Sequence, residues 1–347
     1  MTTKDKVLEI LSQNKNKSVS GEKLAEVCQV SRAAIWKAVK SLREQGCIID
    51  GTTNGGYLLS GNGDVFSHEL FSSTFKNRWP EFQNSHLETF QKIDSTNTYA
   101  KRILSECGNL RDSGGRLTEA GEKYHQSVIV AESQTAGRGR LGRKFISPAK
   151  TGIYLSLIYA PENGITEPAK VTAFSAVAIV RAIKKLFNID AQIKWINDIY
   201  INSKKVSGIL TEGFANFETG LIESAIIGIG INIQDNETVS KNAAIAGSIT
   251  GTERTNDSSV SRTTLAAEVA GQVLSVLKED PSKVMKEYKD YCFLTGKTVQ
   301  VHPVIGDDKS VYSAKVLDVD DNAALVVELS DGSRKSLSSG EVSLHQE

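Results

Sequence analysis

The sequence lacks the features that would indicate a metal site, a secretion signal or a membrane span. Its 347 residues hold four cysteines, none of them in a C-x-x-C pair, and five histidines without the spacing of metal ligands. This pattern predicts free thiols rather than a zinc site. The first residues include no apolar signal region, and no apolar run approaches the length needed to cross a bilayer. We therefore expect a cytoplasmic protein without membrane contact.

A net charge is also missing, because 41 Lys and Arg balance 41 Asp and Glu. The balance is uneven along the chain: residues 1–60 hold nine basic and six acidic side chains. This mild excess permits nucleic-acid binding at the N-terminus but does not require it. No internal repeat and no low-complexity tract is present, and the length predicts two or three domains.

The first 62 residues have the pattern of a winged helix-turn-helix domain. Ser20 begins a short helix, and Ser31 begins a third helix that runs from residue 32 to 45 and ends at Gly46. A hairpin follows, with its turn at residues 51–56. The outer face of the third helix would read DNA through Arg32, Trp36, Lys37 and Lys40. The alternative is that this small helical unit binds another protein.

The remaining chain predicts a multidomain α+β protein. Residues 63–90 would connect the domains, and residues 91–293 alternate apolar strands with helices, such as those at 171–187 and 262–277. Residues 110–124 are polar and Gly-rich and predict a flexible surface insertion. From residue 294 to 347 the pattern changes to short alternating strands, with a hairpin at Asp331-Gly332. We expect this last domain to be a small SH3-like β-barrel or sandwich.

A loop rich in glycine and arginine follows the apolar strand at residues 127–131. It reads Gln134-Thr-Ala-Gly-Arg-Gly-Arg-Leu-Gly-Arg143 and contains the spacing G-x-G-x-x-G. That fingerprint binds dinucleotides only where a helix follows, and here a second strand at 153–159 follows instead. The loop therefore predicts a site for a different anion, since arginines and free N–H groups can surround a phosphate. Taken alone, it could equally be a solvated basic surface loop.

Several motifs in matching order resemble the biotin protein ligases, and specifically the bifunctional form that is also a repressor of biotin genes. The resemblance covers nearly the whole chain. It rests on the third N-terminal helix, the Gly-Arg-Gly-Arg loop, and on Asp94-Ser-Thr-Asn97, Lys194-Trp-Ile-Asn-Asp198, Lys205-Val-Ser-Gly-Ile-Leu210, Gly228-Ile-Gly-Ile-Asn232 and Ser339-Gly-Glu-Val-Ser343. It implies a central α/β domain of the biotin/lipoate ligase type.

The resemblance also implies the reaction and its ligands. Biotin and ATP would form biotinyl-adenylate with the help of Mg²⁺. A lysine of the biotin carboxyl carrier domain of acetyl-CoA carboxylase, or of a related carboxylase, would then accept the biotin. The adenylate would promote a homodimer that binds operator DNA.

By matching motif, the resemblance assigns the residues of the site. The catalytic residues would be Arg138, Lys205, Asp198 and Lys194. Biotin would contact Ser95, Thr96, Asn97, Gln134, Gly137, Arg138, Arg140, Lys205 and Gly208. The nucleotide would contact Arg138, Arg140, Arg143, Phe145, Lys194, Asn197 and Asn232.

Some of these assignments have open alternatives. Asp198 would bind Mg²⁺ or orient the acceptor lysine, and it could also merely cap a turn. Lys204 and Lys205 could be a solvated pair. The chain departs from the family at Ile196, where proline is usual, and at Phe145, where tryptophan is frequent.

Three other functions compete with the bifunctional ligase. A lipoate or octanoate ligase would use a related catalytic domain. A biotin-sensing transcription factor would have lost catalysis, although the presence of Arg138, Asp198 and Lys205 argues against this. A stand-alone ligase would carry a vestigial N-terminal domain, which the outward-facing basic residues of the third helix oppose.

Overall fold

A computed structural model describes most of the chain. The described residues are 2–14, 17–44, 47–52, 55–61, 66–112, 114–215, 220, 222–235, 246–250, 260–303 and 310–344. The predicted helix end at residues 45 and 46, part of the hairpin turn at 53 and 54, and the predicted boundary at residue 62 lie outside these ranges. None of the described helices has the length and apolarity needed to span a bilayer.

The N-terminal unit has three helices and a two-stranded antiparallel hairpin, as predicted. They are α1 (Thr3–Gln13), α2 (Gly21–Cys28), α3 (Arg32–Glu44), β1 (Ile48–Thr52) and β2 (Gly56–Gly61). The Ser20 hydroxyl accepts a hydrogen bond from the amide of Lys23, and the Ser31 hydroxyl accepts one from Ala34. These caps satisfy amides that the first helical turn leaves unpaired, so they fix where α2 and α3 begin.

One helix joins this unit to the rest of the protein. Within the predicted connection at 63–90, helix α4 (His68–Arg78) places Leu70 in the core of the N-terminal unit. The next residue, Phe71, and Phe75 pack into the large core of the central unit. A single rigid helix therefore contributes to both cores. The same segment also supplies β3 (Leu87–Phe90), which is an edge strand of the central sheet.

The central unit is built on a seven-stranded mixed sheet. Its elements after β3 are α5 (Thr96–Cys107), α6 (Glu119–Tyr124), β4 (Val128–Ala131), β5 (Gly152–Tyr159), α7 (Pro168–Phe187), β6 (Gln192–Lys194), β7 (Asp198–Ile201), β8 (Lys204–Ala215), β9 (Ile222–Asn232), α8 (Arg262–Val276) and α9 (Pro281–Tyr291). The strand order is β3-β4-β5-β9-β8-β7-β6, and among these described strands only β3 and β4 pair in parallel. Residues 110–124 differ from the predicted flexible insertion, because they include α6 and a bridge between Arg111 and Leu117.

The two faces of this sheet pack differently. Ile209, Ile229 and Ile231 point toward α7 and α8 and belong to the main core. On the opposite face, Ile226 packs beneath α5, whereas glycines take the corresponding positions further along β8 and β9. Since a strand alternates its side chains between faces, one face is filled and the other leaves space above its glycines.

The C-terminal unit is a five-stranded antiparallel sheet. Its strands are β10 (Thr298–His302), β11 (Tyr312–Val319), β12 (Leu325–Glu328), β13 (Arg334–Leu337) and β14 (Glu341–Leu344), paired in the order β13-β12-β11-β10-β14. The predicted hairpin at Asp331-Gly332 is confirmed, since β12 and β13 pair across it. Closure of the sheet into the predicted barrel is not seen among the described strands. The last strand, β14, was not predicted.

A buried carboxylate fastens α4 to the central helices. Glu268 of α8 has no exposed side-chain surface, and it accepts hydrogen bonds from Arg78 of α4 at 2.5 Å and from Lys185 of α7 at 2.8 Å. Burial alone would raise the pKa of Glu268, but the hydrogen bonds from Lys185, Arg78 and Gln272 outweigh it and hold the pKa below its ordinary value of 4.5. The ionised form therefore stabilises the folded protein.

We expect Glu268→Gln to lower the free energy of unfolding by about 2 kcal/mol at pH 7, because two cations lose a charged acceptor. The lowered pKa means that this contribution is complete above pH 4.5 and is lost as the pH falls through the folded value. Urea denaturation at several pH values measures it. Asp190→Asn, at an exposed partner of Lys184, is the control and should change stability by less than about 0.5 kcal/mol. Equal stability of Glu268→Gln and the unchanged protein at pH 7 would contradict this role.

Candidate active site

A cavity of about 770 Å³ lies above the glycines of β8 and β9. The start of α5, the glycine-rich loop, β7 and strand β14 of the C-terminal unit enclose it. All but one of the residues predicted from the sequence as catalytic or ligand-binding line it, namely Ser95, Thr96, Asn97, Gln134, Arg138, Arg140, Arg143, Phe145, Lys194, Asn197, Asp198, Lys205, Gly208 and Asn232. The structure therefore brings together predicted residues that lie up to 137 positions apart in the chain, from Ser95 to Asn232. Gly137 is the exception: it lies beside the cavity rather than in its wall.

One end of the cavity has a polar and deeply buried floor. Ser95 precedes α5, and Ser95, Thr96 and Asn97 are each less than 5% exposed. The Gln134 side-chain oxygen accepts a hydrogen bond from the amide of Thr96 at 2.9 Å, and it lies 3.2 Å from the Thr96 hydroxyl. Ser156 of β5 donates to Asn97 Oδ1 at 2.6 Å. These hydrogen bonds hold the floor in one arrangement before any ligand binds.

The glycines of β9 are needed for close packing at this floor. A Cβ atom at Gly228 would overlap the side-chain amide of Asn97, and one at Gly230 would overlap the ring of Phe145. The ring also meets Tyr154 edge-on at 6.2 Å. Phe145, where the family often has tryptophan, therefore packs as an apolar wall against the backbone of β9.

The middle of the cavity holds an ion pair between neighbouring strands. Lys205 Nζ of β8 lies 2.7 Å from Asp198 Oδ1 of β7. Asn197 Nδ2 donates to the same carboxylate at 2.9 Å and to the carbonyl of Ile209 at 3.1 Å. Lys205 thus faces the cavity, whereas the adjacent Lys204 is exposed to solvent. The two lysines are not an equivalent solvated pair.

The glycine-rich loop supplies three arginines, each with its own partner. Arg138 NH2 lies 3.3 Å from Glu212 Oε1. Arg140 NH1 donates to Asn197 Oδ1 at 2.6 Å. Arg143 makes two hydrogen bonds to Glu341 of β14, at 2.8 and 2.5 Å. Arg140 is therefore the arginine that contacts the Asn197–Asp198 pair, and Arg138 lies toward the floor.

The loop has no helix of the dinucleotide-binding kind after it, as the sequence predicted. Only a single 3₁₀ turn, Arg140–Gly142, lies between β4 and β5. Leu141 and Gly142 both have positive φ, of 61° and 75°, so the turn reverses the chain and returns it to β5. The arginines before and after the turn consequently point into the same cavity.

Lys194 lies opposite Asp198 in the β6–β7 pair. Burial lowers the pKa of its ammonium, an effect that the negative charges of Asp198 and Glu341 oppose and that Lys205 and Arg143 reinforce. A bound anion would stabilise the charged form of such a partly desolvated cation, because the anion replaces the lost hydration.

A second segment returns to the cavity after β9. The amide of Gly247 donates to the carbonyl of Lys205 at 2.9 Å, and the amide of Ile249 donates to the carbonyl of Asn232 at 3.1 Å. Ala246 of this segment lines the cavity.

Ile196 takes the place where the family usually has proline. The Trp195–Ile196 peptide bond is cis. Both side chains are buried, and Trp195 Nε1 donates to the carbonyl of Ala323 in the C-terminal unit at 2.8 Å. The segment before Asn197 is thus held by the C-terminal unit.

Sequence reasoning missed several residues of the site. Glu212 and Glu341 hold arginines of the loop, and Gly228 and Gly230 make room for Asn97 and Phe145. The motifs Gly228-Ile-Gly and Ser339-Gly-Glu signalled three of these positions, because they were recognised as part of the resemblance without an assigned role. Glu212 had no signal of its own, since a single Glu in a strand has no characteristic spacing.

The predicted DNA-contacting residues share the outer face of α3. Arg32, Trp36, Lys37 and Lys40 are all exposed, and Trp36 is 55% exposed. The Lys40 ammonium lies 5.6 Å from the centre of the Trp36 ring. The opposite face of α3, with Ile35, Val39 and Leu42, is buried, as predicted.

Comparison with known protein families finds three matches along the chain. Residues 113–232 match the biotin/lipoate A/B protein ligase family. Residues 3–58 match a helix-turn-helix domain, and residues 296–345 match the biotin protein ligase C-terminal domain. Their order is the order of the three structural units.

Similar curated proteins and solved structures agree with these matches. The bifunctional ligase/repressor BirA of Bacillus subtilis is 29% identical over 339 residues, which is 96% of each chain. BirA of Escherichia coli is 28% identical over 94% of this chain and 92% of its own. The biotin protein ligase from Aquifex aeolicus in complex with biotin and ATP covers 76% of this chain and 99% of its own, with a TM-score of 0.57 and 22% identity, and so supports the fold. The chain is therefore similar over nearly its whole length to bifunctional ligase/repressor proteins, with a helix-turn-helix match before the match to the biotin/lipoate A/B protein ligase family.

Proposed function

We propose that the protein activates biotin with ATP, transfers it to a lysine of a biotin carboxyl carrier domain, and represses biotin genes when it holds the adenylate. The observation that carries the proposal is the order of groups along the cavity. A polar floor that is buried and already hydrogen-bonded leads directly to a cluster of lysine and arginine side chains around Asp198. Such a cavity suits a molecule with a polar head and a carboxylate that must meet a phosphate.

The reaction has two steps, adenylate formation and transfer to the acceptor lysine. A carboxylate oxygen of biotin attacks the α-phosphorus of ATP, and the bond to pyrophosphate breaks to leave biotinyl-AMP. The neutral amine of the acceptor lysine then attacks the acyl carbon, loses a proton and expels AMP. In the first step two anions approach each other, so fixed cations lower the barrier by stabilising the developing charge.

The structure supports particular roles for this chain's residues. Lys205 and Arg140 flank the Asn197–Asp198 pair and would hold the carboxylate and the α-phosphate. Lys194 and Arg143 would hold phosphate oxygens further along the cavity. Asp198 keeps Lys205 in place through their ion pair, and its carboxylate would also orient the acceptor lysine. Loop closure would exclude water from the adenylate, which hydrolyses easily.

The residues also fit a magnesium ion that arrives with ATP. Mg²⁺ is usually held by one or two carboxylates together with substrate phosphates and water. Asp198 provides one such carboxylate in the cavity, and no cluster of three metal-binding side chains exists among the described residues. Asp198 would therefore hold the ion jointly with the nucleotide, and the ion would neutralise phosphate charge.

The floor of the cavity favours biotin over lipoate or octanoate. The head group of biotin is a cyclic urea, with two N–H donors and one carbonyl acceptor, whereas a dithiolane ring or an alkyl chain forms no hydrogen bonds of comparable strength. Ser95, Thr96, Asn97 and Gln134 would remain partly unsatisfied around an apolar head group, which costs free energy.

The N-terminal unit supports the second activity. Its exposed basic face on α3 suits a major groove, and a two-fold dimer would present two such helices to a palindromic operator. Helix α4 connects this unit to the central core, so that ligand-dependent assembly of the central unit would set the spacing of the two α3 helices.

Lys205→Ala should lower biotin-dependent ATP–pyrophosphate exchange by about two orders of magnitude, the usual loss when one preorganised cation or donor at a reacting centre is removed. Lys204→Ala is the matched control, because this neighbouring lysine is exposed, and its exchange rate should stay within about threefold of the unchanged protein. Equal rates for Lys205→Ala and Lys204→Ala would rule out the role assigned to Lys205.

Biotin together with ATP should raise both the dimer fraction in sedimentation and the affinity for operator DNA. Lys37→Ala should weaken operator binding and reduce the slope of log affinity against log salt by about one, since one phosphate contact is lost. Lys184→Ala, on exposed surface of α7, should leave binding unchanged. Operator affinity that is the same with and without biotin and ATP would exclude ligand-controlled repression and leave the ligase activity standing.

A further inference from the structure

A mostly buried carboxylate lies just outside the cavity, beside the polar floor. Glu212 lies on β8, two positions beyond Leu210, and its side chain is 16% exposed. Its oxygens accept hydrogen bonds from Asn97 Nδ2 at 2.9 Å and from Lys101 Nζ at 2.8 Å. Arg138 of the glycine-rich loop lies 3.3 Å away. Glu212 itself is not part of the cavity wall, so it acts on a ligand only through these neighbours.

Two acceptors set the orientation of the Asn97 amide, because its Nδ2 donates to the Glu212 carboxylate at 2.9 Å and more weakly to the Leu210 carbonyl at 3.4 Å. An ionised carboxylate only accepts hydrogen bonds, so the NH₂ group of Asn97 must face Glu212. The amide oxygen then faces the opposite way, where it accepts a hydrogen bond from the Ser156 hydroxyl at 2.6 Å. The bare backbone at Gly228 lets the amide lie flat on β9, because any Cβ atom there would overlap it.

The orientation continues along the floor. The Ser156 hydroxyl bridges Asn97 Oδ1 and Thr96 Oγ1, which is 2.7 Å away. The Gln134 side-chain oxygen accepts from Thr96, while Gln134 Nε2 donates to the Ser147 hydroxyl at 2.9 Å. Because these groups are buried and linked in series, reversing one amide would disturb the donors and acceptors of its neighbours.

Glu212 is ionised under ordinary conditions. Burial alone would raise its pKa, but hydrogen bonds from Lys101 and Asn97 and the charges of Lys101 and Arg138 outweigh burial and lower it. The group is therefore a constant acceptor for Asn97 rather than a switch.

We infer that Glu212 is a positioning residue for the biotin head group. By fixing the amide of Asn97 it keeps acceptor oxygens at the floor, where they match the two N–H groups of a cyclic urea. The inference rests on the proposed function. It predicts that Glu212 affects the affinity for biotin rather than the chemistry, since it lies away from the Asp198–Lys205 pair.

The test reverses donor and acceptor between the two side chains. Glu212→Gln removes the obligatory acceptor, and Asn97→Asp places two carboxylates against each other. Each single variant should raise the KM for biotin in pyrophosphate exchange, and the Kd for biotin without ATP, about tenfold, or about 1.4 kcal/mol. For Glu212→Gln, whose side chain lies outside the cavity wall, the kcat should stay within about twofold.

The double variant Asn97→Asp with Glu212→Gln provides the rescue. Its glutamine can donate to the new aspartate, whose other oxygen still accepts from Ser156, and one negative charge remains beside Lys101. Its Kd for biotin should return to within about threefold of the unchanged protein. Lys101→Met is the matched control, because it removes the ion pair of Glu212 without touching Asn97, and its Kd should change by less than about twofold.

The outcomes separate the inference from the proposed function. Two results would overturn the positioning role, provided that the unchanged protein binds biotin. One is an unchanged Kd for biotin in Glu212→Gln. The other is a Kd in the double variant that is raised by the product of the two single increases. An unchanged protein that binds no biotin by calorimetry would overturn the proposed function itself. Thermal melting of each variant shows whether a weak Kd reflects an unfolded chain.

Discussion

Six cationic side chains line one cavity of this protein, and their mutual repulsion is the constraint on which the site depends. They are Arg138, Arg140, Arg143, Lys144, Lys194 and Lys205. Like charges gathered in a partly buried space destabilise the fold unless each has a partner. Glu212, Asn197, Glu341 and Asp198 provide partners for four of them. A phosphate-bearing ligand suits this cavity because it supplies negative charge at the place where the protein has concentrated the opposite sign.

These partners come from distant parts of the chain, and this links the cavity to the rest of the molecule. Glu341 belongs to the last strand of the C-terminal unit, so the Arg143 pair ties the glycine-rich loop to that unit. Trp195 makes a second connection by donating to Ala323. On the other side, Leu70 and Phe71 of α4 join the N-terminal core to the central core, and Glu268 anchors the end of that helix. The three units therefore share a continuous set of contacts around one site.

The sequence predicted most of this site because its residues stand in short motifs with distinct chemistry. Caps such as Ser20 and Ser31 located the N-terminal helices, and the absence of a helix after the loop excluded dinucleotide binding. Periodicity missed β14 and the short strands β6 and β7, since these have only three or four residues and are not uniformly apolar as β4 is. It also treated residues 87–90 as a connection, although they form β3. The partners Glu212 and Glu341 depend on tertiary contacts, and only the structure assigns Arg138 to the floor and Arg140 to the Asn197–Asp198 pair.

The central claim is that this cavity joins biotin to the α-phosphate of ATP. The most direct measurement is mass spectrometry of the purified protein after incubation with ATP, Mg²⁺ and either biotin or lipoate. The account predicts protein-bound biotinyl-AMP and one pyrophosphate released per adenylate with biotin, and little or no adenylate with lipoate. Equal amounts of lipoyl-AMP and biotinyl-AMP, or ATP cleaved to ADP and phosphate, would contradict it.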